Sequence, residues 1–166
     1  HVLVVDAPAS GAAETLARIA TLAPGKPVRW VIPTHHHDDH AGGVRHYAAA
    51  GATIVTTAGN RDYLARMAAA RPSLAGDTLP RVAPRVETMA RVRTFGDGER
   101  AVEIHDIGAG PHAEEMLVAW LPAEGILFQG DLVDVEADGA VRRGTNNATT
   151  QHFARWLAGR GWRVRT

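Results

Sequence analysis

Six consecutive side chains of this sequence, at positions 35–40, could bind a metal ion. The candidates are His35, His37, Asp39 and His40, in a segment at 34–43 that reads THHHDDHAGG. Imidazole and carboxylate groups are ligands for borderline divalent cations, chiefly zinc, and a loop allows side chains two residues apart to converge on one ion. His35 and His37 can therefore share a metal, while Asp39 and His40, which are turned differently, can face a second one.

The cluster directly follows a predicted strand. Residues 28–32 form an apolar run that Pro33 ends, so the histidines lie at the carboxyl end of a strand, where ligands bind in α/β sheets. Gly42 and Gly43 allow the next helix to pack closely behind the loop. A tag remnant would lie at a terminus and would not be followed by two aspartates and a glycine pair. The segment is therefore interpreted as a metal site.

Alternating strands and helices are predicted in the first half of the chain, which favours a parallel α/β sheet. The predicted strands cover residues 2–6, 28–32 and 53–56. The predicted helices are one capped by Ser10 with Leu16, Ile19 and Leu22 on its apolar face, a short one ending at Ala50, and one from Asn60 to about Ala70. Residues 72–84, rich in Pro, Gly, Ser and Arg, predict a surface loop.

The second half predicts antiparallel pairing. One hairpin joins residues 92–95 to 101–107, and a second joins 116–121 to 126–129. A last helix, capped by Thr149 or Thr150, carries Phe153, Trp156 and Leu157 on one face and ends at Gly161, and residues 162–164 begin another strand.

The composition fits one globular domain. The 166 residues carry 18 basic and 18 acidic side chains, so no nucleic-acid or anionic-membrane partner is indicated. No apolar run approaches the roughly 20 residues of a spanning helix, which predicts a soluble domain. Its localisation, cytoplasmic or periplasmic, and its oligomeric state stay open. Cysteine is absent, which excludes disulfides, thiolate zinc sites and cysteine nucleophiles.

The motif His35-x-His37-x-Asp39-His40, with Gly42-Gly43 after it, resembles the metal-binding signature of the metallo-β-lactamase superfamily. That family also has a later histidine before a pair of strands and an acidic or thiol ligand after them, and His112 and Asp131 fit this order. The resemblance implies an α/β fold, the αββα four-layer sandwich of the metallo-β-lactamase type. It further implies that residues 1–166 are a single domain truncated at both ends, lacking the first strands and the C-terminal metal-ligand loop.

A dinuclear site follows from the same resemblance. His35, His37 and His112 would bind one ion, Asp39 and His40 the other, and Asp131 would bridge the two. The expected cofactors are two divalent metal ions, zinc in the first place, with manganese or iron as alternatives. The family's last histidine ligand is expected beyond Thr166. The remaining histidines and one aspartate have other expected roles: His36 and Asp38 support the ligands, His46 and His152 lie on helix surfaces, and His105 lies in a hairpin strand.

The reaction that the resemblance implies is metal-dependent hydrolysis of a small-molecule ester, thioester, lactone, amide or phosphoester by a hydroxide shared between two ions. Asp39 would orient or deprotonate that hydroxide. The lactam-hydrolysing branch commonly has cysteine in place of Asp131 and a lysine just beyond it, where this chain has Leu132, Val133 and Asp134, so efficient β-lactam hydrolysis is not expected. Two alternatives stay open: a mononuclear iron oxygenase acting on persulfides, and a non-catalytic metal-binding domain of the same fold.

Overall fold

The computed structural model describes residues 1–70, 78–96, 100–140, 142 and 147–165. The chain divides into two compact units, residues 1–89 and 90–166. Each unit contains one four-stranded sheet, and helices accompany both sheets. The α/β class predicted from the sequence is therefore confirmed.

Parallel strands joined by helices make up the first unit. Its strands are β1 (Val2–Val5), β2 (Val28–Ile32), β3 (Thr53–Thr56) and β4 (Arg85–Thr88), and they pair in that order. Its helices are α1 (Ala12–Leu22), α2 (Asp38–Ala41), α3 (Val44–Ala49) and α4 (Arg61–Ala69). Because β1 and β2 run in the same direction, the residues that follow them lie at the same edge of the sheet.

Most elements of this unit match the sequence predictions. The three apolar strands form where expected, but β4 was not predicted and adds a fourth strand at the sheet edge. Gly11 rather than Ser10 is the N-cap residue of α1. Asn60 does precede α4, although its side chain makes no capping hydrogen bond. Residues 72–77 of the predicted loop lie outside the described residues.

The second unit is an antiparallel meander with one helix. Its strands β5 (Val92–Phe95), β6 (Val102–Asp106), β7 (Leu117–Leu121) and β8 (Ile126–Phe128) pair in chain order, which confirms both hairpins. The helix α5 (Ala148–Ala158) is capped by Asn147, not by Thr149 or Thr150, because the Asn147 side chain accepts a hydrogen bond from the Thr150 amide at 2.9 Å.

The end of the second unit differs from the sequence prediction. Gly159, not Gly161, follows the last turn of α5. Residues 162–165 form no strand; instead the ring of Trp162 stacks on Trp120 with 4.6 Å between centroids, and the Arg165 amide donates to the Gly125 carbonyl at 2.8 Å. Among the described helices, none combines the length and the apolar composition that crossing a bilayer needs.

Each unit has its own apolar core. In the first unit, Val31, Ile54 and Leu64 are fully buried, and burial raises the pKa of the neighbouring core residue Tyr47, partly offset by a side-chain hydrogen bond with Thr15. In the second unit, one cluster of buried apolar residues consists of Ile107, Met116, Val118, Leu132 and Phe153. Leu132 and Phe153 anchor in this core the loop after β8 and the helix α5.

Gly43 packs against the turn after β1 with no room for a side chain. Its amide donates to the Ala7 carbonyl at 2.7 Å, and a Cβ here would collide with the Pro8 carbonyl and lie 3.0 Å from Cβ of Ala12. We expect Gly43→Ala to lower the free energy of unfolding by about 1–3 kcal/mol, the usual cost of overpacking.

Urea unfolding measures this cost, and Gly159→Ala is the matched control. Gly159 has φ −73°, and a Cβ there would lie no closer than 3.6 Å to any neighbour, so alanine should be neutral or should stabilise by up to about 1 kcal/mol. Equal effects of the two substitutions would contradict the close packing behind the histidine loop.

Candidate metal centre

Three imidazole rings converge at the carboxyl end of β2. The strand ends at Ile32, and the chain then runs through a short loop into α2 at Asp38. His35 is 1% exposed, and its Nε2 lies 2.8 Å from Nδ1 of His37. The ring centroids of His35 and His40 are 4.3 Å apart. The loop thus brings together the three histidines that the sequence analysis selected in this segment.

The two aspartates of α2 have different surroundings. The carboxylate of Asp39 is 73% exposed, and its Oδ2 lies 3.5 Å from Nε2 of His40. The carboxylate of Asp38 lies against Gly42, where it would collide with an added Cβ. Of the two, Asp39 is therefore the carboxylate placed beside an imidazole nitrogen.

The ring of His36 has a neighbour outside the histidine loop. Its ring makes an edge-to-face contact with Tyr63, with 5.9 Å between centroids, and lies 4.8 Å from the ring of His37. It can therefore support His37 only by ring packing, which is a narrower role than the sequence analysis expected.

Asp6 organises the histidine loop, and the sequence analysis gave it no role. It follows β1 in the left-handed conformation with φ 65°, and its Oδ1 accepts a hydrogen bond from the Thr34 amide at 2.7 Å. Its Oδ2 lies 2.8 Å from Nδ1 of His40. A carboxylate that accepts the Nδ1 proton leaves the Nε2 lone pair of that imidazole available to a metal. The only sequence signal for this role was an aspartate immediately after an apolar strand.

Asp6→Asn should weaken metal binding through His40. Asparagine tolerates the left-handed backbone, but its amide can donate to Nδ1 of His40 and so move the ring proton to Nε2. We expect zinc affinity to fall about 10–100-fold, the usual effect of losing a partner of a ligating histidine. Competition against a chromophoric chelator measures it.

The control for this substitution is Asp62→Asn, since Asp62 is an exposed carboxylate on α4 that pairs with Arg61. It should leave zinc affinity unchanged. A zinc affinity of Asp6→Asn equal to that of wild type would remove Asp6 from the site.

The second unit places one histidine beside one aspartate. His112 lies in the loop between β6 and β7, where the Gly110 amide donates to the Ala113 carbonyl at 3.0 Å. Its Nε2 lies 3.5 Å from Oδ2 of Asp131, which follows β8 with a left-handed φ of 58°. The two later residues selected from the sequence therefore meet within their own unit.

Gln129 shapes the loop that carries Asp131. Its side-chain oxygen accepts from the amides of Leu132 at 2.6 Å and Val133 at 3.0 Å, and its side-chain nitrogen donates to the Val133 carbonyl. These hydrogen bonds close the loop around Asp131, the residue with the left-handed φ. The sequence analysis placed Gln129 at the end of the second hairpin, and no sequence feature indicated that its side chain shapes the next loop.

The other histidines lie outside these two groups. His46 lies on α3, as expected, with its Nδ1 buried and without a hydrogen-bond partner among the described residues. His105 lies in β6, as expected, 2.8 Å from a Glu103 carboxylate oxygen. His152 lies on α5 and is half-buried: its ring packs beside Gly110, and its Nε2 is buried.

The donors in each unit suit a divalent metal. Two ligands bound to one zinc at about 2.0–2.1 Å in a tetrahedral arrangement lie about 3.3 Å apart. The 2.8 Å between the His35 and His37 nitrogens and the 3.5 Å between the His112 nitrogen and the Asp131 oxygen are close to that separation. Imidazole with carboxylate is the donor set of zinc and of similar metals, so the residues fit such an ion.

Comparisons with known proteins agree with this donor set. The family model of the metallo-beta-lactamase superfamily matches residues 1–162. A metallo-beta-lactamase type 2 from Elizabethkingia meningoseptica is 28% identical over 109 residues, which are 66% of this chain and 38% of that protein. The match thus spans well under half the length of this curated relative.

Solved structures show the same fold. A metallo-beta-lactamase from Pontibacter korlensis superposes with a TM-score of 0.66 at 26% identity, covering 95% of this chain and 68% of that one. A flavodiiron protein from Giardia intestinalis has a TM-score of 0.59 at 16% identity, covering 92% and 35%, and is similar in fold alone. With a family match over nearly its whole length and the family's histidine motif after β2, the chain belongs to the metallo-β-lactamase superfamily.

Proposed function

We propose that this protein is a metal-dependent hydrolase that acts on an ester, thioester, lactone, amide or phosphoester of a small molecule. The observation that carries the proposal is the convergence of His35, His37 and His40 at the carboxyl end of β2. Neutral imidazoles do not repel one another, but they gain little free energy by clustering in water. A bound metal ion makes such a cluster favourable. Membership of the metallo-β-lactamase superfamily supports the same conclusion.

The proposed ligands come from both units, in the chain order of the family signature. His35, His37 and His112 would hold one ion, and Asp39 and His40 would hold a second. Asp131 would be a ligand of both ions. When bound, two divalent ions, zinc in the first place, would lower the pKa of water and polarise the substrate's carbonyl or phosphoryl oxygen.

The residues of the chain have separate tasks in this proposal. Asp6 accepts the proton on Nδ1 of His40 and so fixes the tautomer of that ring. The exposed Asp39 carboxylate can take a proton from water at Oδ2 and pass it to the leaving group. Asp131 presents a 39% exposed carboxylate beside His112, which provides a negative counter-charge for bound cations.

The residues after Asp131 argue against a lactam substrate. Leu132 is 3% exposed and belongs to the core, and Asp134 is an exposed acid. Neither offers a cation for the carboxylate that lactam antibiotics carry, and the Asp134 charge would repel it. Neutral lactones and esters are therefore the preferred class to test first.

Metal analysis and a substrate panel test the proposal. The purified protein is loaded with zinc or manganese, its metal content is measured, and it is offered lactones, thioesters, phosphodiesters and chromogenic lactams. We expect two ions per chain and turnover of at least one class other than lactams. One iron per chain with oxygen-dependent persulfide oxidation would replace the hydrolase with an oxygenase. Two bound ions with no turnover of any class would leave a non-catalytic metal-binding domain.

A further inference from the structure

The first turns of α5 contact both of the loops that carry the proposed ligands of the second unit. His152 packs against the His112 loop, and Thr150 bonds to the loop that follows Asp131. Neither residue belongs to the family signature that selected the ligands. The two contacts come from residues two positions apart on one helix, so a single rigid element holds both loops.

The contact of His152 is close and specific. A Cβ added at Gly110 would lie 3.1 Å from Cδ2 and 3.3 Å from Nε2 of His152, so the imidazole lies directly against the backbone two residues before His112. Nε2 of His152 is buried and has no hydrogen-bond partner among the described residues. A buried imidazole nitrogen without a partner costs about 1–3 kcal/mol, and such groups in proteins commonly bind an internal water.

A small cavity lies beside the His152 ring. It measures about 10 Å³ and is lined by the loop residues Pro111, His112 and Ala113 and by Thr149 and His152 of α5. This volume is at the lower limit for one water molecule. The lining of this cavity is apolar, so the His152 ring holds the His112 loop by packing.

Thr150 fixes the other loop. Its hydroxyl donates to the Leu132 carbonyl at 3.0 Å, and its amide donates to Asn147 at the start of the helix. Leu132 is the residue after Asp131 and is buried in the core with Phe153 of α5. The backbone that follows Asp131 is therefore held against α5.

We propose that His152 and Thr150 are positioning residues that set the separation of His112 and Asp131, and thereby tune the affinity of this ligand pair for a divalent metal. The inference rests on the proposed function, since it takes these two residues as metal ligands. Neither His152 nor Thr150 touches the metal in this proposal. They act through the 3.5 Å spacing between Nε2 of His112 and Oδ2 of Asp131.

The test measures zinc affinity by competition against a chromophoric chelator, together with the visible absorption of the cobalt-loaded protein. His152→Phe puts a bulkier ring against Gly110, where there is no room even for a Cβ, and Thr150→Val keeps the side-chain shape but removes the hydroxyl. We expect each to weaken zinc affinity about 10-fold and to change the cobalt spectrum, as substitutions of residues that orient ligands do. His152→Gln, which places an amide nitrogen near the position of Nε2, should restore most of the affinity.

Matched controls separate positioning from general destabilisation. His105→Phe removes another buried histidine of the same unit, whose Nδ1 also lacks a partner among the described residues, and Thr94→Val changes an exposed threonine of β5. Both should leave zinc affinity and the cobalt spectrum unchanged, even where His105→Phe lowers the free energy of unfolding. If His152→Phe does not fold, Thr150→Val decides alone.

The outcomes distinguish this inference from the proposed function. A wild-type protein that binds no zinc overturns both. A wild-type protein that binds zinc, with His152→Phe and Thr150→Val binding equally well and giving the same cobalt spectrum, overturns the positioning role and leaves the hydrolase in place.

Discussion

Replacing His35 by glutamine is expected to weaken zinc binding by more than 100-fold, whereas the same change at the neighbouring His36 should alter it by about two-fold at most. His35 is buried, with Nδ1 3.1 Å from Oγ1 of Thr34 and Nε2 2.8 Å from His37. Its ring is therefore held from one side and presents a nitrogen on the other. Loss of a ligand should exceed the 10–100-fold effect of losing a residue that only supports one.

His36 is a stringent control because it has the same chemistry one position away. Its ring packs edge-to-face on Tyr63, and a substitution away from a specific site usually changes free energy by about 0.5 kcal/mol or less, which is about two-fold in affinity. Both variants are titrated with zinc against the same chelator, and their unfolding by urea is compared. Similar losses in the two variants would mean that the run of three histidines acts as a general cation-binding tract and that the loop selects no particular ring.

Elements with continuous apolar runs could be predicted from the sequence, and edge elements could not. Strand β2 is buried along most of its length, which left a clear pattern, whereas in β4 only Val86 is even partly buried. A strand at the edge of a sheet needs few apolar residues, so its sequence resembles a loop. Residues 162–164 show the opposite error, since an apolar segment was predicted to be a strand and is not one. Trp162 packs its ring on Trp120 instead of pairing in a sheet.

The ligands of the candidate site were visible in the sequence, while their supports were not. Imidazole and carboxylate at short spacing are rare enough to be noticed, and His112 and Asp131 were found once the first motif suggested the family. Asp6 contacts Thr34 and His40 across 28 and 34 positions of sequence, and no local pattern reports such a contact. The roles of Gln129 and His152 were missed for the same reason, because they depend on which loops the fold brings beside these residues.

Substitutions of the two aspartates of α2 distinguish a loss of activity from a loss of stability. Asp39→Asn should reduce kcat about 10²–10⁴-fold on any ester or lactone that the wild-type protein hydrolyses, the range expected for loss of a group that takes or gives a proton. Metal content should fall from two ions to one, because the proposed second site loses its carboxylate. Since the Asp39 side chain is 73% exposed, the free energy of unfolding of the metal-free protein should change by only about 0.5 kcal/mol.

Asp38→Asn is the matched change one residue earlier. Asp38 is the first residue of the same helix, and its carboxylate lies against Gly42. The Asp38 side chain has no proposed contact with metal or substrate. An amide there keeps the shape of the side chain, so kcat should stay within about two-fold and two ions should remain bound. Because both variants remove one negative charge from adjacent positions, any difference between them measures position and not net charge. If Asp38→Asn loses as much activity as Asp39→Asn, the activity depends on the negative charge of the helix as a whole, and Asp39 has no separate part in proton transfer.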